Sequence, residues 1–462
     1  MRNIDKTGLP GKYKAWIFQH GLLPRLTWPL MLYEIGVTTV EGLGRTINRH
    51  LRRWLGVPPS FSSIGLYSRT SKLQLPFTSL VEEYKVGKAR LIMTLKTSKD
   101  EKVRQAGVHV RTGRKWSASR AVEDAESRLR HKDIVGTVCQ GRQGLGTTHR
   151  QSWRTTDTGE RRGMVQSEIR AQEEEGRKKK AVEMGCQGAW TRWETEERHL
   201  TWKDIWRYQP AQLKFLLRSV YDVLPSPVNL HRWGLVPDPD CVLCGKRGTL
   251  DHVLTSCQTA LTQGRYTWRH NEVLRELADI LERERKAQRK VKKKMVTIRF
   301  VKEGQSVPVQ GTNKKSGLLE MADDWTMEVD LHGRSSFPNI VQTSLRPDIV
   351  LWSRGEKKLL LVELTVPWEE RCVQANERKR AKYEDLLAEC WEQVWQTWNF
   401  PVEVGYRGFP AQSVWRTLSA LGLTGLERRR AVQRLAQAAE RASSWVWRKR
   451  EESTWKPTVG AQ

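Results

Sequence analysis

Two apolar, β-branched runs flank one short polar turn in the last third of the chain. The first run follows Arg346-Pro347-Asp348, and the second is Leu361-Val362-Glu363-Leu364-Thr365. The turn, residues 353–358, lies at the midpoint between Asp348 and Glu363. Strands that pair about this turn would place the two carboxylates opposite each other, with Cβ atoms about 5 Å apart. The pattern therefore predicts a β-hairpin with two acids at one end.

Two carboxylates at this distance repel each other unless a proton or a cation lies between them. Mg²⁺ and Mn²⁺ prefer carboxylate oxygens and retain water ligands, which suits phosphodiester hydrolysis. The pair predicts a Mg²⁺ or Mn²⁺ site with Asp348 and Glu363 as ligands. Each acid taken singly also has a structural explanation, as a turn cap beside Pro347 or as the partner of a nearby basic side chain.

A second constraint is the spacing C-x2-C-x7-H-x4-C over residues 241–257. Three thiolates and one imidazole suit a closed tetrahedral Zn²⁺ site, and a closed site is structural rather than catalytic. Such a small domain folds only with its metal. The predicted zinc ligands are Cys241, Cys244, His252 and Cys257. The seven cysteines, an odd number, do not suggest a disulfide framework.

The chain is strongly basic, with 80 Lys and Arg against 52 Asp and Glu and a formal net charge of +28. A field of this size attracts polyanions, so we expect nucleic acid as the partner. No apolar run approaches the roughly 18 residues of a membrane span, and the first residues are not a signal peptide, which predicts an intracellular protein without a membrane partner. The candidate phosphate contacts, for which a solvated basic face is the alternative, are Arg49, Arg52, Arg53, Lys292 and Lys293.

Composition and periodicity divide the chain into five parts. The predicted fold class is α+β multidomain, with a helical N-terminal module, a small zinc knuckle and a C-terminal α/β domain. The parts are a basic helical module (1–135), a charged linker that is flexible or in part a solvent-exposed helix (136–200), a helical region with the zinc cluster and a charged helix from Asn271 to Lys294 (201–294), a domain of alternating strands and helices (295–450) and a tail (451–462).

The zinc cluster followed by Arg346-Pro347-Asp348 and Glu363 resembles the C-terminal part of LINE-type (non-LTR) retrotransposon polyproteins that carry a restriction-like endonuclease. Residues 361–369, 377–383 and 401–409 resemble the nuclease core of that family, and residues 8–130 resemble the region after its polymerase palm. The resemblance implies a nuclear PD-(D/E)xK nuclease that nicks a DNA strand to prime reverse transcription. DNA, element RNA and a separate reverse transcriptase are the partners it implies.

Carried over residue by residue, the resemblance implies that Asp348 and Glu363 hold the divalent metal. Thr365 occupies the place of the usual lysine, and a lysine on the following helix, Lys382, is implied as its substitute. Its ammonium would orient the attacking water or offset charge on the phosphate. The weaker candidates are Lys379 as a rival for that role, Tyr383 as a phosphate contact or a core tyrosine, and Asp330 as a further metal neighbour.

The sequence lacks the palm carboxylates of a reverse transcriptase. Its single Asp-Asp pair, Asp323-Asp324, has no aromatic residue before it and lies after the zinc cluster, which predicts a loop or a helix start. One possible function is a purely structural role in RNA packaging, which strong RNA preference without metal-dependent cutting would favour. The two main functions are a metal-dependent DNA endonuclease with a zinc knuckle that binds nucleic acid, and a non-catalytic, nucleic-acid-binding remnant of such a polyprotein. Thr365 favours the remnant, and metal-dependent cleavage separates the two.

Overall fold

The structure is a computed structural model that describes residues 1–141, 144–148, 152–294, 317–331, 333 and 335–455. It divides into two compact units, residues 1–191 with 198–223 and residues 192–197 with 224–462. The chain combines α and β elements, as the sequence predicts. Within the described ranges, no helix is both long and apolar enough to cross a membrane.

The first unit is mainly helical. Strand β1 pairs in parallel with β4, and β2 pairs antiparallel with β3. In chain order its elements are α1 (Arg2–Lys6), α2 (Gly11–Ile17), a π-helical turn (Phe18–Leu22), α3 (Leu23–Leu32), α4 (Val37–Leu55), α5 (Ile64–Tyr67), β1 (Leu73–Gln74), α6 (Leu80–Lys96), α7 (Glu101–Gln105), α8 (Ala118–Val135), β2 (Thr137–Gly141), β3 (Gly144–Thr148), α9 (Ser152–Thr155), α10 (Thr158–Glu183), β4 (Arg198–His199), α11 (Trp202–Arg207) and α12 (Pro210–Val220), with a 3₁₀ turn at Ala189–Arg192 that ends at the boundary.

The flexible linker predicted over residues 136–200 is wrong for most of that range. Helix α10 occupies Thr158–Glu183 and buries Val165 and Ile169 in one core with α6 and α8. Part of its charge is paired within the unit: Arg177 bonds both Glu82 of α6 and Glu174 of its own helix. The prediction failed because cross-helix ion pairs make a packed charged helix resemble a solvated linker in composition.

The second unit holds both predicted sites. Its boundary differs from the predicted one, because residues 201–223 belong to the first unit and the zinc cluster joins the C-terminal domain. Its elements are α13 (Pro227–Arg232), a π-helical turn (His252–Ser256), α14 (Gln258–Thr262), α15 (Arg265–Lys294), a 3₁₀ turn (Leu318–Met321), β5 (Thr326–Val329), β6 (Ile349–Ser353), β7 (Lys358–Thr365), a 3₁₀ turn (Glu369–Arg371), α16 (Cys372–Lys382), α17 (Glu384–Glu392), β8 (Gln396–Glu403), α18 (Gln412–Leu421) and α19 (Gly425–Arg448).

The predicted hairpin is confirmed. Strands β6 and β7 pair antiparallel with Ile349 opposite Val362 and Ser353 opposite Lys358, so that the same register extends to Asp348 and Glu363. Asp324 holds the turn by accepting hydrogen bonds from the Ser353 hydroxyl and from the Gly355 amide. The Asp323-Asp324 pair therefore lies in a loop, as predicted, and one of its acids caps the hairpin.

The hairpin forms the centre of a four-stranded sheet with the order β5-β6-β7-β8, in which only β7 and β8 run parallel. Helices α16 and α17 connect these two parallel strands. Val350, Leu359 and Leu361 form one core with Tyr383 and Leu386. Because side chains alternate along a strand, Glu363 points to the same face as Leu361. The acid pair therefore lies under α16.

Candidate active site and zinc site

Asp348 and Glu363 hold each other through the backbone of the hairpin. The Asp348 amide donates to Glu363 Oε2 at 3.0 Å, and the Leu364 amide donates to Asp348 Oδ2 at 2.8 Å. These bonds orient both carboxylates without using all of their lone pairs, since each carboxylate can accept about four hydrogen bonds. The two acids are thus fixed as a pair at the end of β6 and β7.

Glu363 is a buried acid with a second acid beside it. Its exposed fraction is 1%, whereas the Asp348 side chain is 16% exposed. Burial, followed by the charge of Asp348, raises the pKa of Glu363 above its ordinary value although Lys379 lowers it. A cation between the two carboxylates would relieve both effects, because it compensates the charge where water does not.

Two lysines of α16 reach Glu363. Lys379 Nζ donates a hydrogen bond to Glu363 Oε1, and Lys382 Nζ lies 3.9 Å from the same oxygen. Lys382 donates instead to the Tyr383 hydroxyl at 2.8 Å, and its side chain is 42% exposed. Both predicted lysines converge on the acid pair. Lys379, the weaker candidate from sequence, makes the closer contact because it is one helical turn nearer to the middle of α16.

His270 is a member of the site that the sequence analysis missed. Its Nε2 lies 3.3 Å from Asp348 Oδ2 and 3.2 Å from the Leu364 carbonyl oxygen. Both neighbours are acceptors, so Nε2 carries a proton. Burial lowers the pKa of His270, but the hydrogen bond with Asp348, the charge of Asp348 and the hydrogen bonds with Asn271 and the Leu364 backbone together raise the pKa above its ordinary value. His270 reaches the pair from α15, 78 residues earlier in the chain.

Tyr383 and Asp330 take supporting positions around the acid pair. Tyr383 is fully buried, and its hydroxyl donates to the Arg346 carbonyl at 3.1 Å. The position of Tyr383 therefore fits a core tyrosine better than a phosphate contact. The Asp330 amide donates to the Asp348 carbonyl at 2.9 Å, and the Asp330 carboxylate accepts from the Ser335 amide at 3.3 Å. Asp330 thus extends the pairing of β5 with the strand of Asp348.

Thr365 lies opposite a further buried acid on the same face. In the parallel register of β7 and β8, Thr365 pairs with Glu403. The Glu403 Oε2 atom accepts from Ser413 at 2.6 Å and from Asn376 of α16 at 3.0 Å. Burial raises the pKa of Glu403 above its ordinary value. The position of the absent lysine is therefore occupied by a hydroxyl beside a carboxyl group, and α16 brings the basic side chains instead.

The four predicted zinc ligands converge. The ligand atoms of Cys241, Cys244, His252 and Cys257 all lie within 4.8 Å of one another and could hold a metal ion. The Cys241 and Cys257 sulfurs are 4.0 Å apart, and the Cys244 sulfur is 3.1 Å from His252 Nε2. Three sulfurs and one nitrogen in this arrangement are the donor set that Zn²⁺ prefers in structural sites.

The local backbone explains how this spacing becomes a site. The Gly245 amide donates to the Cys241 carbonyl at 2.8 Å, and Gly245 adopts a φ of +66°, which closes the turn between the first two cysteines. His252 opens a π-helical turn that ends just before Cys257. An α-helical turn rotates residue i+5 away from residue i, whereas a π-helical turn brings residue i+5 back towards residue i.

The candidate phosphate contacts lie on two helices, α4 of the first unit and α15 of the second. Arg49, Arg52 and Arg53 lie on α4 in the first unit, where Arg49 is exposed. Arg52 Nε donates to the Phe61 carbonyl at 2.7 Å, and Arg53 pairs with Asp5. Both therefore have intramolecular partners. Lys292 and Lys293 lie at the end of α15, and their side chains are outside the described part of the chain.

Further exposed basic residues lie on α16, the helix whose Lys379 contacts the acid pair. Arg378, Arg380 and Lys382 are exposed on α16, the helix that contributes Lys379.

No model of a protein family matches this chain, and no curated protein matches it.

Proposed function

We propose that this chain is a divalent-metal-dependent DNA endonuclease of retroelement origin, with a structural zinc knuckle. The observation that carries the proposal is the convergence of Asp348, Glu363 and Lys379 at one end of the hairpin. The resemblance to restriction-like endonucleases of non-LTR retrotransposons agrees with it. Nuclear location, DNA or element RNA as partners and a separate reverse transcriptase belong to the same proposal.

The donor set fits Mg²⁺ or Mn²⁺. Asp348 and Glu363 would hold the ion through carboxylate oxygens, and water would fill its other positions, as is usual for Mg²⁺. The backbone amides that bond both carboxylates leave lone pairs for such an ion. When bound, the ion supplies Lewis-acid polarisation of the phosphodiester and a more acidic water.

The side chains around the acids perform the remaining tasks. Lys379 offsets the negative charge of Glu363 and places an ammonium group where charge develops on the phosphate. His270 orients Asp348 by bonding its Oδ2 atom. Exposed Arg378 and Arg380 on α16 attract the DNA backbone, which holds the duplex with little reading of base sequence.

Conversion of supercoiled plasmid to nicked circles tests the proposal. We expect the full chain to nick plasmid in Mn²⁺ or Mg²⁺. Nicking should stop when a chelator removes the ion, because the carboxylates alone do not activate water. A metal-independent rate would contradict it. Salt-sensitive DNA binding without any cleavage would favour the non-catalytic remnant. Thr365, which occupies the position of the usual lysine, also favours it.

The two lysines are expected to differ. Lys379→Met is expected to lower the nicking rate constant about 100-fold, since one donor aimed at the reacting centre has an effect of that order. Lys382→Met is expected to lower it about fivefold or less, because its exposed ammonium lies 3.9 Å from Glu363. Single-turnover nicking measures both, and salt-dependent DNA binding serves as the control. A larger loss of nicking rate in Lys382→Met than in Lys379→Met would assign the assisting role to Lys382.

A further inference from the structure

One face of helix α15 contacts both the zinc knuckle and the acid pair. Tyr266, Arg269 and His270 are spaced i, i+3 and i+4, so their side chains share that face. Tyr266 is 9% exposed and Arg269 is 3% exposed. This short stretch therefore lies inside the second unit, with one site at each end.

Tyr266 is bonded to the zinc-binding segment. Its hydroxyl donates to the Val253 carbonyl at 3.0 Å and accepts from the Cys257 amide at 3.2 Å. Val253 belongs to the π-helical turn that begins at the ligand His252, and Cys257 is itself a ligand. The hydroxyl thus bonds the two ends of the segment that the metal would close.

Arg269 joins that turn to the strand of Glu363. Its Nη1 donates to the Leu254 carbonyl of the π-helical turn at 2.8 Å, and its Nη2 lies 3.5 Å from the carbonyl oxygen of Val366, just after β7. Burial lowers the pKa of Arg269 to about 10, so the group stays charged at neutral pH. A buried charge needs its hydrogen-bond partners, so displacement of either carbonyl is unfavourable.

His270 completes the connection, one residue further along the helix. Its Nε2 contacts the Leu364 carbonyl and Asp348 Oδ2, the oxygen that also accepts the hydrogen bond of the Leu364 amide. The spacing of Arg269 and His270 means that a shift of α15 moves both contacts together. The position of the acid pair therefore depends on where the zinc knuckle holds this helix.

We propose that Tyr266, Arg269 and His270 are positioning residues that make the order of the Asp348–Glu363 pair depend on metal occupancy of the knuckle. The proposal rests on the proposed zinc site and on the proposed catalytic pair, but it needs no cleavage. Zinc fixes the His252–Cys257 segment, that segment holds α15, and α15 holds Asp348 and the backbone after β7. Loss of zinc releases the acid pair although no zinc ligand touches it.

Amide hydrogen exchange tests this directly, because two amides report on the acids themselves. The Asp348 amide bonds Glu363, and the Leu364 amide bonds Asp348. Exchange at these amides is measured on the full chain without Mg²⁺ or DNA, with the amides of α18 (Gln412–Leu421) as the reference for general stability of the unit. The readout is the exchange rate of the Asp348 and Leu364 amides divided by the exchange rate of the α18 amides.

We expect the ratio to rise about tenfold in zinc-free Cys244→Ser and in Arg269→Met, and about fivefold in Tyr266→Phe, which keeps the buried ring and loses only the hydroxyl. Arg269→Met keeps every zinc ligand and should retain zinc. Arg275→Met is the matched control, since Arg275 lies on the same helix with a 47% exposed side chain paired to Glu272. Its ratio should equal that of the wild type.

An unchanged ratio in the zinc-free variant and in Arg269→Met would overturn the proposal. A rise at Asp348 and Leu364 that α18 matches would also overturn it, because it would reflect general destabilisation. The result is independent of the nuclease assignment. A chain that does not cleave DNA can still lose the protection of these two amides when zinc is lost. A chain that cleaves DNA but does not lose this protection retains the proposed function without the coupling.

Discussion

Replacement of Asp348 by Asn is expected to lower metal-dependent nicking at least about 1000-fold. The change removes one negative ligand from a pair, and loss of about 4 kcal/mol of metal-based transition-state stabilisation corresponds to that factor. The amide oxygen of Asn can still accept the Leu364 amide bond, so the hairpin should keep its register. Plasmid nicking in Mn²⁺ under single-turnover conditions measures the loss.

DNA binding should persist in this variant. The formal net charge rises by one from +28, and phosphate contacts dominate affinity. Asp385→Asn is the matched control, because Asp385 is an exposed acid in the first turn of α17 and undergoes the same chemical change. A nicking rate for Asp348→Asn within twofold of this control would remove the carboxylate pair from the mechanism. Tighter binding in both variants would indicate a charge effect alone.

Replacement of Cys257 by Ser is expected to abolish zinc binding and to unfold the knuckle. Cys257 is fully buried, and its sulfur is 4.0 Å from that of Cys241. Structural zinc contributes about 10–16 kcal/mol in small zinc domains at neutral pH. That exceeds what the few apolar side chains of the knuckle, Leu250, Val253 and Leu254, can supply at about 1.5–3 kcal/mol each.

Metal analysis and limited proteolysis check this prediction together. The wild type should hold one zinc per chain and resist cleavage over residues 236–262, whereas Cys257→Ser should hold none and be cut there. Cys186→Ser is the control, because Cys186 is an exposed cysteine of the first unit. Zinc retained at full stoichiometry by Cys257→Ser would contradict the four-ligand site.

The result bears on how the two sites are related. If Cys257→Ser also loses nicking while its hairpin amides lose protection, the knuckle acts on the acid pair through α15. If nicking survives the loss of zinc, the knuckle is an independent element, and its bonds to Tyr266 and Arg269 serve only packing. Either way, the endonuclease proposal is judged by Asp348 and not by the cysteines.

The sequence predicts structure correctly where interactions between residues close in the chain determine it. The hairpin register followed from the symmetry of two apolar runs about a turn, because side chains alternate with a period of two. The zinc ligands followed from spacing alone, since four ligands within 17 residues have little freedom to arrange otherwise. The π-helical turn that accommodates His252 and Cys257 was not foreseen.

Predictions failed where charge or distance in sequence concealed packing. The linker prediction fails at α10 because the ion pairs of this helix with α6 and α8 are invisible in composition. The predicted helix from Asn271 in fact begins at Arg265. The missed turn carries Tyr266, which contacts the zinc-binding segment, His270, which contacts the acid pair, and Arg269, which lies between them. Their polar and aromatic types interrupt the apolar period that would have extended the helix.

The sequence by itself determined which acids face each other and which four side chains could share a metal. Both depend on strand alternation, turn symmetry and ligand spacing, which act over a few residues. The tertiary structure decided that Lys379 rather than Lys382 bonds Glu363, and that His270 bonds Asp348 from 78 residues away. These contacts depend on how α15 and α16 pack beside the sheet, and packing between distant segments leaves no fixed period in a sequence.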